Sequence, residues 1–256
     1  MVKKALSVFA FPVAVLTAVI VAMWFGSNSI QKHVTSDLDQ MAGLRRAMLV
    51  EQLTSPARGI TNTRVLAAME RVPRHEFVPA NLHPSAYDDS ALPIGYGQTI
   101  SQPFVVAFMT EKLEPQPTDR ILEIGTGSGY QAAVLSGLVH EVYTIEILEA
   151  LAERAATNLA RLGYTNVFVR AGDGYQGWPE VAPFDAIIVT CAPEKVPQGL
   201  VTQLKDGGRM IIPVGVIDGQ NLVLLHKRGE KLEQRAVLPV RFVPMTGEVQ
   251  RREPAR

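Results

Sequence analysis

The chain has 256 residues, close to half of them hydrophobic, with 25 basic and 25 acidic side chains. That length fits one α/β domain with an appendage, and the apolar share suffices to cover both faces of a buried sheet. The zero net charge argues against a duplex-binding protein, whose affinity rests on a basic face, so no nucleic-acid partner is expected. The single cysteine, Cys191, excludes a disulfide framework or multi-cysteine zinc site, and the five histidines lack metal-ligand spacing, so no metal is expected.

Residues 1–26 begin with Lys3 and Lys4, after which Ala5 to Gly26 carry no charge. As a helix this run would be about 33 Å long, enough to cross a hydrocarbon core of about 30 Å, and Pro12 is tolerable in such a helix. The lysines precede the run and Asp37 and Asp39 follow it, so the positive-inside rule predicts an anchor with the domain outside the cytoplasm. No Ala-x-Ala site follows, which favours an anchor over a cleaved signal; a mis-assigned start or a tail packed on the domain is the alternative. Residues 27–40 read as a linker, and 41–256 as the folded domain.

Within that domain, Met41 to Leu53 has helical apolar spacing through Met41, Leu44, Met48 and Leu49, and Thr63 to Arg71 predicts a second short helix stopped before Pro73. Residues 72–103 are rich in Pro, Gly and Asp and read as a long ordered loop or lid. From Arg120 onward, short apolar runs (Arg120 to Ile124, Glu141 to Ile145, Val167 to Ala171, Asp185 to Thr190) alternate with helical stretches, of which Glu149 to Leu162 is the clearest. Later strands are expected over Arg209 to Pro213, Leu222 to His226 and Arg235 to Phe242. The pattern predicts a doubly wound, mostly parallel sheet with helices on both faces, of the Rossmann-like type. The tail from Gly247 is polar.

The strongest motif is Glu123-Ile-Gly-Thr-Gly-Ser-Gly129, where a predicted strand ends and a helix begins. Gly125, Gly127 and Gly129, with Ser128 among them, allow a sharp turn and close backbone approach to a ligand. The G-x-G-x-G spacing differs from the dinucleotide fingerprint, no Lys-Ser/Thr follows as in a P-loop, and Glu123 puts a carboxylate beside the turn. Such an acidic turn suits a ligand with a positive ammonium and sulfonium better than a pyrophosphate. Glu146 ends the next strand, where a carboxylate can accept from ribose hydroxyls, and Asp173-Gly174 follows the third, where an Asp can meet an adenine amine. Three acids at the carboxyl ends of successive parallel strands fall on the edge where such folds bind ligands. Together they point to S-adenosyl-L-methionine and a methyltransferase.

The fourth strand continues into Thr190-Cys191-Ala192-Pro193 and lacks the Asn/Asp-Pro-Pro-Tyr/Phe tetrapeptide of base-amino methylases. Cys191 has no basic neighbour to lower its pKa and reads as a small buried residue rather than a nucleophile. Upstream, Ala91-Leu-Pro-Ile-Gly-Tyr-Gly-Gln-Thr-Ile-Ser-Gln-Pro103 and Val72-Pro-Arg-His-Glu-Phe-Val-Pro79 resemble the bacterial protein-L-isoaspartate (D-aspartate) O-methyltransferases. The likeness continues through Glu123 to Tyr130, Gly172 to Trp178, Pro183 to Pro193 and Arg241 to Pro244, covering roughly residues 41–250.

That resemblance implies a Rossmann-like methyltransferase in which Ser101 matches the family's catalytic serine, with Thr99 beside it. The implied substrates are damaged proteins and peptides bearing L-isoaspartyl residues, and D-aspartyl residues by extension; the enzyme is expected to act as a monomer. The family is usually cytoplasmic and begins near residue 41, in contrast to the anchor predicted here. An isoaspartyl α-carboxyl, with a pKa of about 3.5, is already ionised at neutral pH and needs no strong base. Methylation makes it a better leaving group, so the neighbouring backbone nitrogen can displace methanol and form a succinimide without enzyme help. Two other readings of the residues are a methyltransferase for a small metabolite or lipid at the membrane, and a non-catalytic binding module of the same fold.

Overall fold

The computed structural model describes residues 39–216 and 218–248. The apolar segment 5–26 and nearly all of the linker lie outside the described residues, although residues 39 and 40 of that linker are already helical. Among the described residues no helix is long and apolar enough to cross a membrane. The chain divides into two units, Met1–Leu44 and Arg45–Arg256. In the first, residues 39–44 are helical. In the second, a π-helical turn over Met48–Leu53 buries Met48, Leu49 and Leu53.

Helix α1 (Thr63–Arg71) starts where the Asn62 side chain accepts the Arg64 and Val65 amides, satisfying two otherwise unpaired donors. It stops at Val72, which is extended because Pro73 follows. Residues 72–103, expected as a long ordered loop or lid, carry short regular elements. They contain 3₁₀ turns at Arg74–Phe77 and Ala80–Ser85, then a hairpin of β1 (Leu92–Gly95) and β2 (Gln98–Ile100). Strands of three and four residues leave too little periodicity to read in sequence. The hairpin turns at Tyr96 and Gly97, both with positive φ, as a type I′ connection requires. Helix α2 (Pro103–Leu113) follows with proline in its first turn, where a missing N–H costs nothing.

The remainder is one seven-stranded sheet. Its strands are β3 (Arg120–Ile124), β4 (Glu141–Glu146), β5 (Val167–Ala171), β6 (Phe184–Val189), β7 (Leu204–Val214), β8 (Gln220–Arg228) and β9 (Lys231–Val240). The order is β5-β4-β3-β6-β7-β8-β9, parallel through β7 and antiparallel for the last two pairings. Helices α3 (Tyr130–Ser136), α4 (Glu149–Arg161) and α5 (Gln198–Gln203) lie among them in the chain. The fold is thus the Rossmann-like α/β type expected, with the later strands longer than predicted and β9 shifted earlier. Leu122, Ile124, Ile187, Val189, Met210 and Ile212 form the core of one face with Phe184. Tyr143 stacks on Phe168 and meets Trp178 and Phe184 edge-on.

The chain runs from β3 outward to β4 and β5, then returns to add β6 and β7 on the opposite side of β3. Strand order therefore reverses between β3 and β6, and a crevice opens at their carboxyl ends. The glycine turn leaves β3 there, and Thr190 leaves β6 beside it.

Candidate active site

The glycine turn is held from two sides. Gly125 and Gly127 have φ of 95° and 54°. A Cβ on Gly125 would lie 2.5 Å from Thr190 Oγ1, so the close packing of the two strand ends also requires glycine. The Thr190 hydroxyl donates to the carbonyls of Ile124 and Gly125, at 3.0 and 2.7 Å. From the other side, Glu146 Oε2 accepts the Gly127 amide at 2.8 Å and Oε1 accepts the Leu148 amide at 3.1 Å. Nothing in the sequence pattern marks Thr190 beyond its position at a strand end.

A cavity of about 60 Å³ opens at this crevice. Its lining brings together Thr99, Gly125, Gly127, Glu146 and Gly174, all expected from the sequence, with Thr190, Cys191 and the segment Val243–Thr246. That segment is anchored by the Ala192 amide to the Val243 carbonyl and by the Met245 amide to the Ala192 carbonyl. Ser101 lines a second cavity of about 520 Å³, which shares Thr99, Thr190 and Val243 with the first and is bordered by Arg58, Phe104 and Arg241. The hairpin thus places Thr99 between the two spaces and Ser101 in the outer one.

Four expected residues occupy other positions. Glu123 is fully buried in β3. Among the described residues neither carboxylate oxygen has a hydrogen-bond partner. Burial, reinforced by the nearby Glu146 carboxylate, pushes its pKa up to about 8. The Thr144 hydroxyl, itself paired with Thr126 at 2.7 Å, opposes that rise. Ser128 faces a separate groove of about 680 Å³ bordered by Glu76, Glu153, Arg154 and Arg161. Gly129 meets Leu159, which makes it a packing position between turn and helix. Asp173 stands beside the inner cavity, its two oxygens accepting the amides of Tyr175 at 2.9 Å and Glu248 at 2.6 Å.

Cys191 is partly buried at the cavity wall. Burial, with Glu146 and Asp173 nearby, pushes its pKa up to about 12. The thiol therefore stays protonated at neutral pH, which agrees with its reading as a packing residue and leaves it a poor nucleophile.

The family model for protein-L-isoaspartate(D-aspartate) O-methyltransferase matches residues 44–250. A relative from Opitutus terrae named protein-L-isoaspartate O-methyltransferase is 57% identical, covering 80% of this chain and 87% of its own. Another so named from Picosynechococcus is 51% identical, over 82% and 93% respectively. A solved protein-L-isoaspartate O-methyltransferase superposes with a TM-score of 0.72 at 32% identity, over 80% of this chain and 67% of that one. A Plasmodium falciparum structure, titled as a complex with S-adenosyl-L-homocysteine, gives 0.68 at 25% identity over 77% and 96%.

The raised Glu123 pKa sets a pH dependence. Between pH 4.5 and about 8 the folded protein keeps a proton at Glu123 that the unfolded chain releases. Its contribution to stability therefore falls as pH rises through that window and levels off above it. Glu123→Gln should gain in thermal midpoint over the parent progressively across the same window, as followed by calorimetry. A constant offset between the two proteins would contradict the assignment.

Proposed function

The chain belongs to the protein-L-isoaspartate(D-aspartate) O-methyltransferase family, and from that premise we propose how its residues move a methyl group from S-adenosyl-L-methionine to the free α-carboxyl of isoaspartyl, and by extension D-aspartyl, residues in damaged proteins. The single observation that carries the reading is the adjoining pair of cavities, one walled by the glycine turn and Glu146, the other by Ser101, with Thr99 shared.

The inner site suits a cationic nucleoside ligand. Glu146 presents a carboxylate at the rim, and Gly125, Gly127 and Gly174 keep side chains out of the way. In this reading Glu146 holds the ribose hydroxyls, Asp173 and Gly174 border the adenine, and the glycine turn leaves room for the amino-acid end. When bound, S-adenosyl-L-methionine supplies an activated methyl group on sulfur. At about 60 Å³ the inner cavity is well below the size of a typical small-molecule site, so entry requires Thr99 and the Val243–Thr246 segment to draw apart. Their return excludes water.

The substrate carboxylate needs alignment more than activation. It is ionised at neutral pH, and no histidine lines either cavity among the described residues. The Ser101 hydroxyl orients it by a neutral hydrogen bond, which blunts the nucleophile less than a full positive charge would. Arg58 is engaged with Asp89 and the Phe104 ring, while Arg241 is exposed at the edge and is suited to draw an anionic peptide inward. Alignment of this kind contributes up to about 7–11 kcal/mol in well-oriented systems.

The decisive assay offers paired peptides, one isoaspartyl and one aspartyl, with labelled S-adenosyl-L-methionine. Base-labile methanol release from the isoaspartyl peptide alone is expected; equal labelling of both, or of neither, points to the small-molecule or non-catalytic readings instead. Ser101→Ala should lower kcat by about a hundredfold, the size of effect a misplaced reactant produces, without changing cofactor affinity.

Residues 5–26 we retain as a membrane-spanning anchor, on their length and lack of charge. The full chain should partition with membranes and a form lacking residues 1–40 should not; a wholly soluble full chain would contradict the anchor.

A further inference from the structure

Arg74 is fully buried within the Val72–Pro79 segment, and its guanidinium donates to two backbone carbonyls. Nε donates to the Ala86 carbonyl and Nη2 to the Ser101 carbonyl, both at 2.7 Å. Its guanidinium carbon lies 4.8 Å from the centroid of the Tyr130 ring, while Nη1 is buried without a hydrogen-bond partner among the described residues. Burial lowers its pKa from the usual arginine range. A buried cation held this way costs solvation free energy, and what it gains is geometry.

The three groups it touches are not arbitrary neighbours. Ala86 precedes the β1–β2 hairpin and Ser101 follows it, so one planar group ties together both ends of the segment that carries Thr99 and Ser101. Tyr130 is the first residue of α3, directly after the glycine turn, and is itself almost fully buried. Adjacent residues brace the same joint. His75 Nδ1 pairs with the Tyr87 hydroxyl at 2.7 Å, Glu76 binds Arg161 of α4, and Phe77 packs edge-on against Tyr130.

We propose that Arg74 is a positioning residue, whose guanidinium, seated on the Tyr130 ring, fixes the Ser101 peptide relative to the glycine turn. This rests on the reading of Ser101 given above. Lysine at the position could reach one carbonyl but not span two in one plane, and it would stack less well on the ring.

The test is a double-variant cycle of Arg74→Lys, Ser101→Ala and both together, with single-turnover rate, S-adenosyl-L-homocysteine affinity and thermal midpoint measured for each. Arg74→Lys should slow methyl transfer by about 10- to 100-fold, the scale expected when a reacting group is misplaced by about 1 Å, with cofactor affinity unchanged. Added to Ser101→Ala, it should cost little more, because the group it positions is already gone. Multiplicative losses in the double variant, or a parental rate for Arg74→Lys, would overturn the inference. If Arg74→Lys does not fold, Tyr130→Leu and Tyr130→Phe replace it: the first removes the ring and should show the same non-additivity with Ser101→Ala, the second keeps the ring and should keep the rate. Losses for Tyr130→Leu that multiply with Ser101→Ala would count against the inference. A parental rate for Ser101→Ala alone would defeat the Ser101 reading, and with it this one, before any Arg74 variant is considered.

Discussion

The hydrogen bond from the Gly127 amide to the Glu146 carboxylate, 2.8 Å long, ties the turn that follows β3 to the end of the adjacent strand β4 and fixes its shape. With Thr190 gripping the Ile124 and Gly125 carbonyls from the opposite strand, the turn is held on both flanks at the point where strand order reverses. The consequences extend through the site. Gly125 cannot accept a side chain, the acids gather on one edge, and the backbone lies open to a ligand that can approach it closely. A protein whose sheet was wound in another order would have the same residues without the crevice.

The second half of the site comes from a different part of the chain and must be brought to the first. Thr99 and Ser101 sit on a short hairpin and its exit, which alone would have little reason to hold one place. The Val72–Pro79 segment supplies the reason. Arg74 reaches the hairpin, Glu76 reaches α4, and Phe77 reaches the residue after the glycine turn. A reaction that depends on alignment rather than on a strong base needs this kind of bracing more than it needs a perturbed nucleophile. The protonated Cys191 thiol at the cavity wall is consistent with that chemistry.

Much of this was legible in the residues alone, for identifiable reasons. Buried parallel strands read as continuous apolar runs, so β3, β4 and β6 appear nearly at their observed bounds, and Glu123 and Glu146 stand out against apolar neighbours. That Glu146 also accepts the Gly127 amide of the turn was not legible from its position. The hairpin did not show, because three or four residues carry no period. Thr190 and Val243–Thr246 line the cavity through long-range contacts that local pattern does not encode. Glu123 is the instructive case: its type and place were evident, whereas its complete burial beneath the turn, and hence its raised pKa, depends on neighbours from β4. Ser128 and Gly129 belong to the motif by sequence but face a groove and a helix respectively.

The most direct measurement is a crystal structure of the protein with S-adenosyl-L-homocysteine and an isoaspartyl peptide. The nucleoside should lie between Glu146 and Asp173, with its sulfur toward the space shared by Thr99 and Ser101 and the peptide carboxylate at the Ser101 hydroxyl. A nucleoside seated instead in the larger groove beside Glu76, Glu153 and Arg154 would contradict the placement of the site.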